Sequence, residues 1–204
     1  MKVLKFGGSS VANSENIQKV LAIVKQESKN EKVAVVVSAF GKTTDQLISA
    51  GNKALKNIAE AKETLETIKE LHDQIITDLI TTHKKEVRSE VADLFKKLVS
   101  IYEGLYLLQE LSDKTLAKIS SFGERLSSLI IANAAKELFD ATHEESRKLI
   151  TTNNDYLNAQ VNFKITDVNI TSFFDKNKHQ VVFLGGFISS NSNHETTTLG
   201  RGDR

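Results

Sequence analysis

The 204-residue sequence has no cysteine and no proline, and its charges nearly cancel. Without cysteine there can be no disulfide, thiolate metal site or cysteine nucleophile, which fits a reducing compartment. Usage near 5% would give about ten prolines in a chain of this length; their absence carries no functional reading. A net charge of +1 offers nothing to attract nucleic acid or an anionic membrane. No apolar run approaches the roughly 18 residues of a spanning helix. The opening Met1-Lys2-Val3-Leu4-Lys5 runs straight into strand-like sequence, without the regions of a signal peptide. A cytoplasmic protein is the expectation. The five histidines lie far apart, and neither His143-Glu144 nor His194-Glu195 continues into a zinc motif, so no metal ligand set is expected.

What is present is the composition of a soluble globular chain, 40% apolar and 26% charged, long enough for one domain or most of a larger one. Val3-Leu4-Lys5-Phe6 reads as a short strand stopped by Gly7-Gly8. A helix follows with Asn13 or Ser14 as its cap, and Ile17, Val20, Leu21 and Val24 form its apolar stripe. The valine-rich run Lys32–Ser38 has the continuous apolar character of a strand buried on both faces. Strand, helix and strand make a βαβ unit, for which a right-handed crossover is expected. The middle, from about Asp45 to Phe139, reads as helical, with Gly104 and Gly123 marking breaks or close packing. Gln180–Leu184 is a second buried run halted by Gly185-Gly186, and Phe187–Ser189 with Thr196–Leu199 reads as a β-hairpin. The expected fold is α/β, a three-layer αβα arrangement with a mainly parallel sheet and a helical insertion in the middle.

Several apparent motifs fail on spacing. Gly41-Lys42-Thr43 ends like a P-loop, but Val36 stands where the first glycine belongs. Gly200-Arg201-Gly202 lacks the third glycine of a dinucleotide fingerprint, and Arg201-Gly202-Asp203 spells an adhesion tripeptide with nothing extracellular around it. Three clusters remain, each just after an apolar strand, where ligands gather in open α/β sheets. In Lys5-Phe6-Gly7-Gly8-Ser9-Ser10 the glycines let backbone N–H groups approach a phosphate, and Lys5 could act as a point charge; the competing reading is a tight turn with a surface lysine. The hydroxyls of Ser38–Asp45 could hold a small carboxylate or cap the next helix. Gly185-Gly186 and Thr196–Gly202 frame Arg201, which could fork onto a carboxylate or be a solvated hairpin exit. A fourth run, Ser120–Ser128, suggests a helix starting near Gly123 with Glu124 in its first turn, either as a dipole-stabilised cap or as an acceptor for an ammonium group.

Together these runs resemble the aspartate kinases of the amino-acid kinase superfamily. Lys5-Phe6-Gly7-Gly8-Ser9-Ser10-Val11-Ala12 is similar to the family's Lys-Phe-Gly-Gly-Thr-Ser-Val-Ala, with Ser9 keeping the hydroxyl. Ser121–Ser127 is similar to its Gly-Glu run, and Thr196–Gly202 to its Thr-Thr-Leu-Gly-Arg-Gly run. The opening to Asn13 and Leu107–Ser112 look most like the bifunctional aspartate kinase/homoserine dehydrogenases. The resemblance implies phosphoryl transfer from ATP, with Mg2+, to the side-chain carboxylate of L-aspartate, in a protein that is homo-oligomeric at full length. Lys5 would be catalytic, with Gly7, Gly8 and Ser9 cradling phosphate. Ser38, Thr44, Glu124 and Arg201 would bind the amino acid, Glu124 its ammonium group and Arg201 a carboxylate. The family continues Gly-Ser-Asp after Leu-Gly-Arg-Gly, whereas here Asp203-Arg204 follows, so the family's catalytic aspartate is not assigned to Asp203. Residues 1–204 are expected to be the N-terminal portion of a catalytic domain whose nucleotide-binding half is absent. The alternatives are an amino-acid kinase with another acceptor, such as glutamate or carbamate, and a non-catalytic aspartate-binding remnant.

Overall fold

The computed structural model describes residues 1–200. Strand β1 (Lys2–Phe6) leads through the Gly7–Asn13 loop into helix α1 (Ser14–Glu27), and strand β2 (Val33–Val37) returns parallel to β1. Asn13 is the cap: its side chain accepts from the Asn16 amide at 2.9 Å. Four helices then run in succession, α2 (Thr43–Ala54), α3 (Ile58–Leu79), α4 (Lys84–Leu108) and α5 (Asp113–Lys136). Strand β3 (Ala141–Glu144), a single 3₁₀ turn (Ser146–Lys148), strand β4 (Thr151–Thr152) and helix α6 (Phe163–Lys176) follow. Strands β5 (Val181–Gly185), β6 (Ile188–Asn191) and β7 (Thr196–Thr198) complete the described chain.

β1, β2, β5 and β3 form one wholly parallel sheet in the order β1-β2-β5-β3. Side-chain alternation divides its faces. Val33, Val35, Val37, Val181 and Phe183 enter a core with the α1 stripe and with Phe122, Leu126 and Ile130 of α5. The opposite face carries Lys5, Val36 and Leu184, with Ile170 and Phe174 of α6 across from it. The helices thus lie on both sides of the sheet, the expected three-layer α/β fold. The expected hairpin is β6–β7, antiparallel, and β4 joins it in a separate small sheet ordered β4-β6-β7.

Two readings of the helical middle are corrected. α5 begins at Asp113, where Ser112 accepts from the Thr115 amide, so Gly123 starts no helix and Glu124 lies in mid-helix, away from the dipole. Gly104 marks neither a break nor a close approach: α4 runs through it, and a Cβ there would meet no atom within 4 Å. Gly123 does mark close packing. A Cβ on it would lie 2.7 Å from both the Ala39 Cβ and the Thr44 Oγ1. The insertion has its own interior, in which Tyr102 donates to the Leu47 carbonyl at 2.7 Å. His72 is wholly buried there between the rings of Phe40 and Phe95, with Nδ1 2.7 Å from the Ile68 carbonyl.

Gly104→Ala should raise stability by about 0.5–1 kcal/mol, because alanine loses less backbone entropy in a helix. Gly123→Ala should cost about 1–3 kcal/mol as an overpacked contact. Denaturant midpoints moving in the same direction for both would contradict this packing. Burial pulls the His72 imidazole down to about 4, against the opposing effect of its bond to Ile68. The unfolded residue titrates near 6.5, so His72 contributes nothing to pH dependence above that value. Between about 6.5 and 4 the unfolded chain alone takes up the proton, and stability falls by up to about 1.4 kcal/mol per pH unit. His72→Phe should flatten that part of the stability–pH curve; parallel curves for the two proteins would refute it.

Candidate active site

Because all four strands of the main sheet are parallel, their carboxyl ends and the loops after them lie along one edge. Register pairs Lys5 with Val36 and Val36 with Leu184, one row on one face. All three line a cavity of about 250 Å³ under α6. Ser38 after β2, Gly185 and Gly186 at the end of β5, and Leu199 and Gly200 after β7 line the same space. So does Glu124 of α5, only 5% exposed. Lys5, Ser38 and Glu124, remote in sequence, are therefore brought together. The cavity holds a cationic side chain, a hydroxyl and a buried carboxyl group beside a wall of Ile170, Phe174 and Leu184.

Glu124 reaches this position because α5 lies unusually close to the strand ends. Gly185 has the Glu124 Cβ 3.1 Å and the Glu124 carbonyl 3.2 Å from where its own Cβ would be. Ser127 donates to the Ser38 carbonyl at 2.9 Å, and Ser128 donates to the Glu124 carbonyl at 2.6 Å. The cavity wall also stores local strain. Phe187 has φ +65°, and the Ile188 amide donates to the Gly186 carbonyl two residues back at 2.7 Å, a γ-turn that costs a non-glycine residue about 1–2 kcal/mol. The Leu199 amide donates to the Phe187 carbonyl at 2.9 Å and fixes the hairpin exit against that turn.

Gly7, Gly8 and Ser9 do not line the cavity but form the adjoining loop after Lys5. A Cβ on Gly8 would sit 3.1 Å from the Gly41 carbonyl and 3.2 Å from that of Ala39, so the β1 and β2 loops touch here. Gly7 has no atom within 4 Å of a Cβ position and leaves open space beside its backbone. Ser9 is exposed, and its carbonyl accepts from Asn16. Thr44 is half-buried against Gly123 and is not a cavity residue, and the cap position of α2 is Lys42, without a side-chain bond. The Thr43 hydroxyl instead donates to the Phe40 carbonyl at 2.7 Å. Arg201 and Asp203 lie outside the described residues, although Gly200, the residue before Arg201, lines the cavity.

Behind the site lies a charge cluster that no sequence motif announced. Glu145 accepts from Arg147 at 2.7 Å and from Arg125 at 3.3 Å. Burial and the neighbouring Arg147 pull the Arg125 guanidinium down to about 10, partly opposed by Glu145. Burial works to raise the Glu145 carboxyl, but the hydrogen bond and charge of Arg147, with the charge of Arg125, outweigh it and hold it below the ordinary value. Ser146, also missed, is buried and lines the cavity. Among the described residues no group of three His, Cys, Asp or Glu side chains could hold a metal ion, and no helix is long and apolar enough to cross a membrane.

The sequence model of the Amino acid kinase family matches residues 1–204. The chain is 28% identical to the bifunctional aspartokinase/homoserine dehydrogenase of Buchnera aphidicola subsp. Acyrthosiphon pisum, over 98% of this chain and 25% of that protein. It is 32% identical to the aspartokinase of Chlamydia pneumoniae, over 98% of this chain and 42% of that protein. Among solved structures it resembles E. coli aspartokinase III in complex with aspartate and ADP, with a TM-score of 0.88 and 26% identity over 99% of this chain and 44% of that one. The chain thus spans less than half the length of each of these three.

Gly185→Ala should cost about 1–3 kcal/mol, since the new methyl group meets the Glu124 backbone and Ile188 together. Gly7→Ala should stay within about 0.5 kcal/mol of wild type, because that position is open. Equal losses at the two positions in chemical denaturation would contradict the packing described.

Proposed function

The chain belongs to the amino acid kinase family, and on that premise we propose that it forms the acceptor-binding part of an aspartate kinase. The observation that carries this reading is one cavity lined by Lys5, Ser38 and Glu124 at the carboxyl edge of a parallel sheet. Residues 1–204 are read as the N-terminal portion of the catalytic domain. The likeness to a structure solved with aspartate and ADP supports both the acceptor and the nucleotide. A cytoplasmic enzyme accords with the chain's lack of cysteine.

In the proposed reaction a side-chain carboxylate oxygen of L-aspartate attacks the γ-phosphorus of ATP. A new P–O bond forms as the β,γ-bridging bond breaks, giving 4-phospho-L-aspartate and ADP. That acyl phosphate is the first intermediate toward lysine, threonine and methionine. Phosphoryl transfer depends mainly on positioning and on neutralising charge. Lys5 meets the charge on the moving group, and the open space beside Gly7 admits phosphate oxygens to the backbone of the Gly7-Gly8-Ser9 loop. Mg2+ enters with the phosphates of ATP, as part of that substrate. Glu124 receives the ammonium group of aspartate, Arg201 a carboxylate, and Ser38 a further polar contact. Thr44 acts from behind, by setting the α2–α5 spacing at Gly123.

ADP release by the full-length protein, with aspartate against glutamate as acceptor, tests the reading. Aspartate should be preferred by about 100-fold or more, because a misfitting acceptor leaves buried polar groups unpaired. Equal rates, or release indifferent to either acceptor, would defeat it. Lys5→Ala should lower turnover by about 100-fold or more while the aspartate KM stays within about threefold, because its charge acts on the transition state. Arg201→Ala should mainly raise the aspartate KM. Turnover within about twofold of wild type in Lys5→Ala would remove the role given to Lys5.

A further inference from the structure

We propose that Glu145 and Arg147, which do not touch the cavity, are positioning residues that hold three of its walls in register; this rests on the acceptor-site reading above. The tripeptide Glu145-Ser146-Arg147 leaves the end of β3 and bonds in three directions. Glu145 receives Arg125, the residue after Glu124 on α5, at 3.3 Å, and the Arg125 guanidinium stacks 4.4 Å from the centre of the Phe122 ring. Ser146 donates to the Gly185 carbonyl at 2.6 Å, at the end of β5. Arg147 donates to the Thr196 hydroxyl at 2.9 Å, on the strand that leads to Leu199 and Gly200, and its own carbonyl accepts from Ser190 of β6 at 2.6 Å.

Each bond lands within a few residues of a cavity wall: Glu124, the Gly185-Gly186 turn, and the Leu199-Gly200 exit. Glu145 is central because its one carboxylate faces two cations, with Arg125 12%, Arg147 22% and Glu145 21% exposed. With its charge gone, two largely buried guanidiniums would be left without the counter-ion they share. Like charges in such surroundings repel strongly, so α5 and β7 would move apart. The displacement would fall on the amino-acid side of the cavity. Lys5 and the Gly7-Gly8 loop have no bond to this cluster.

The test uses the full-length protein with Glu145→Gln, which keeps the side chain's size and removes its charge, and with Arg147→Lys, which keeps the charge and loses the fork. Both should raise the aspartate KM by about tenfold, with kcat and the ATP KM within about threefold. Glu145→Asp should fall between wild type and Glu145→Gln. Hydrogen exchange in the ligand-free protein supplies a readout independent of catalysis. In Glu145→Gln and Arg147→Lys, amides around 122–128 and 196–200 should exchange faster, while those of 33–37 in β2 should not. An aspartate KM and an ATP KM rising together, or exchange unchanged in both segments, would overturn the proposal. If the wild-type protein did not phosphorylate aspartate, the acceptor reading would fail, and the exchange pattern would still decide whether these residues tie α5 to β7.

Discussion

The site depends on how closely the middle of α5 approaches the ends of β2 and β5. Two glycines without room for a methyl group set that distance, Gly123 on the helix and Gly185 on the strand. Between them Glu124 is pressed into the cavity, and the serines that follow it bond back to Ser38 and to the helix itself. A side chain at either glycine would push the helix outward and take Glu124 with it. Close packing transmits such shifts because protein interiors have little free volume to absorb them. The same contact places Thr44 against the helix, so the loop after β2 and the carboxylate on α5 cannot move independently.

The charges follow from this geometry. Lys5 is exposed and lies on the sheet face opposite the core, while Glu124, which lines the same cavity, is buried. An acceptor carrying both an ammonium and a carboxylate group suits such a polarised space. Farther back, Arg125, Glu145 and Arg147 form a chain of charge that solvent reaches only partly, where an ion pair holds position through the cost of breaking it. Strain at Phe187 belongs to the same arrangement, since the turn there brings Gly186 and the hairpin exit to one wall.

Much of this was legible in residue order. Three strands of the main sheet, β1, β2 and β5, are apolar runs ended by glycine or serine, and strands followed by glycine-rich or hydroxyl-rich loops are where a parallel sheet gathers its ligands. Lys5 and Ser38 are identifiable from those loops, and Glu124 from the Ser120–Ser128 run in the helical middle and its likeness to a known family. β3 was not, because Ala-Thr-His-Glu at a sheet edge has no apolar run to announce it. α6 escaped too: it leaves Phe163 and Val168 exposed, turns Ile170 and Phe174 to a cavity, and so shows no single stripe. Sequence alone puts Glu124 in a first helical turn because glycine usually interrupts a helix, yet at Gly123 the glycine serves a close crossing instead. Glu145 and Arg147 belong to no motif, and their importance arises only when β3, α5 and β7 are folded together.

The central claim is that Glu124 recognises the ammonium group of the acceptor inside the cavity shared with Lys5. Calorimetric binding of L-aspartate and of succinate, the same skeleton without the amine, to wild-type and Glu124→Gln full-length protein tests it most directly. The account predicts that the wild type prefers aspartate by about 100-fold and that Glu124→Gln reduces this preference to within about threefold, with succinate binding little changed. Equal weakening of both ligands, or an undiminished preference for aspartate, would contradict it.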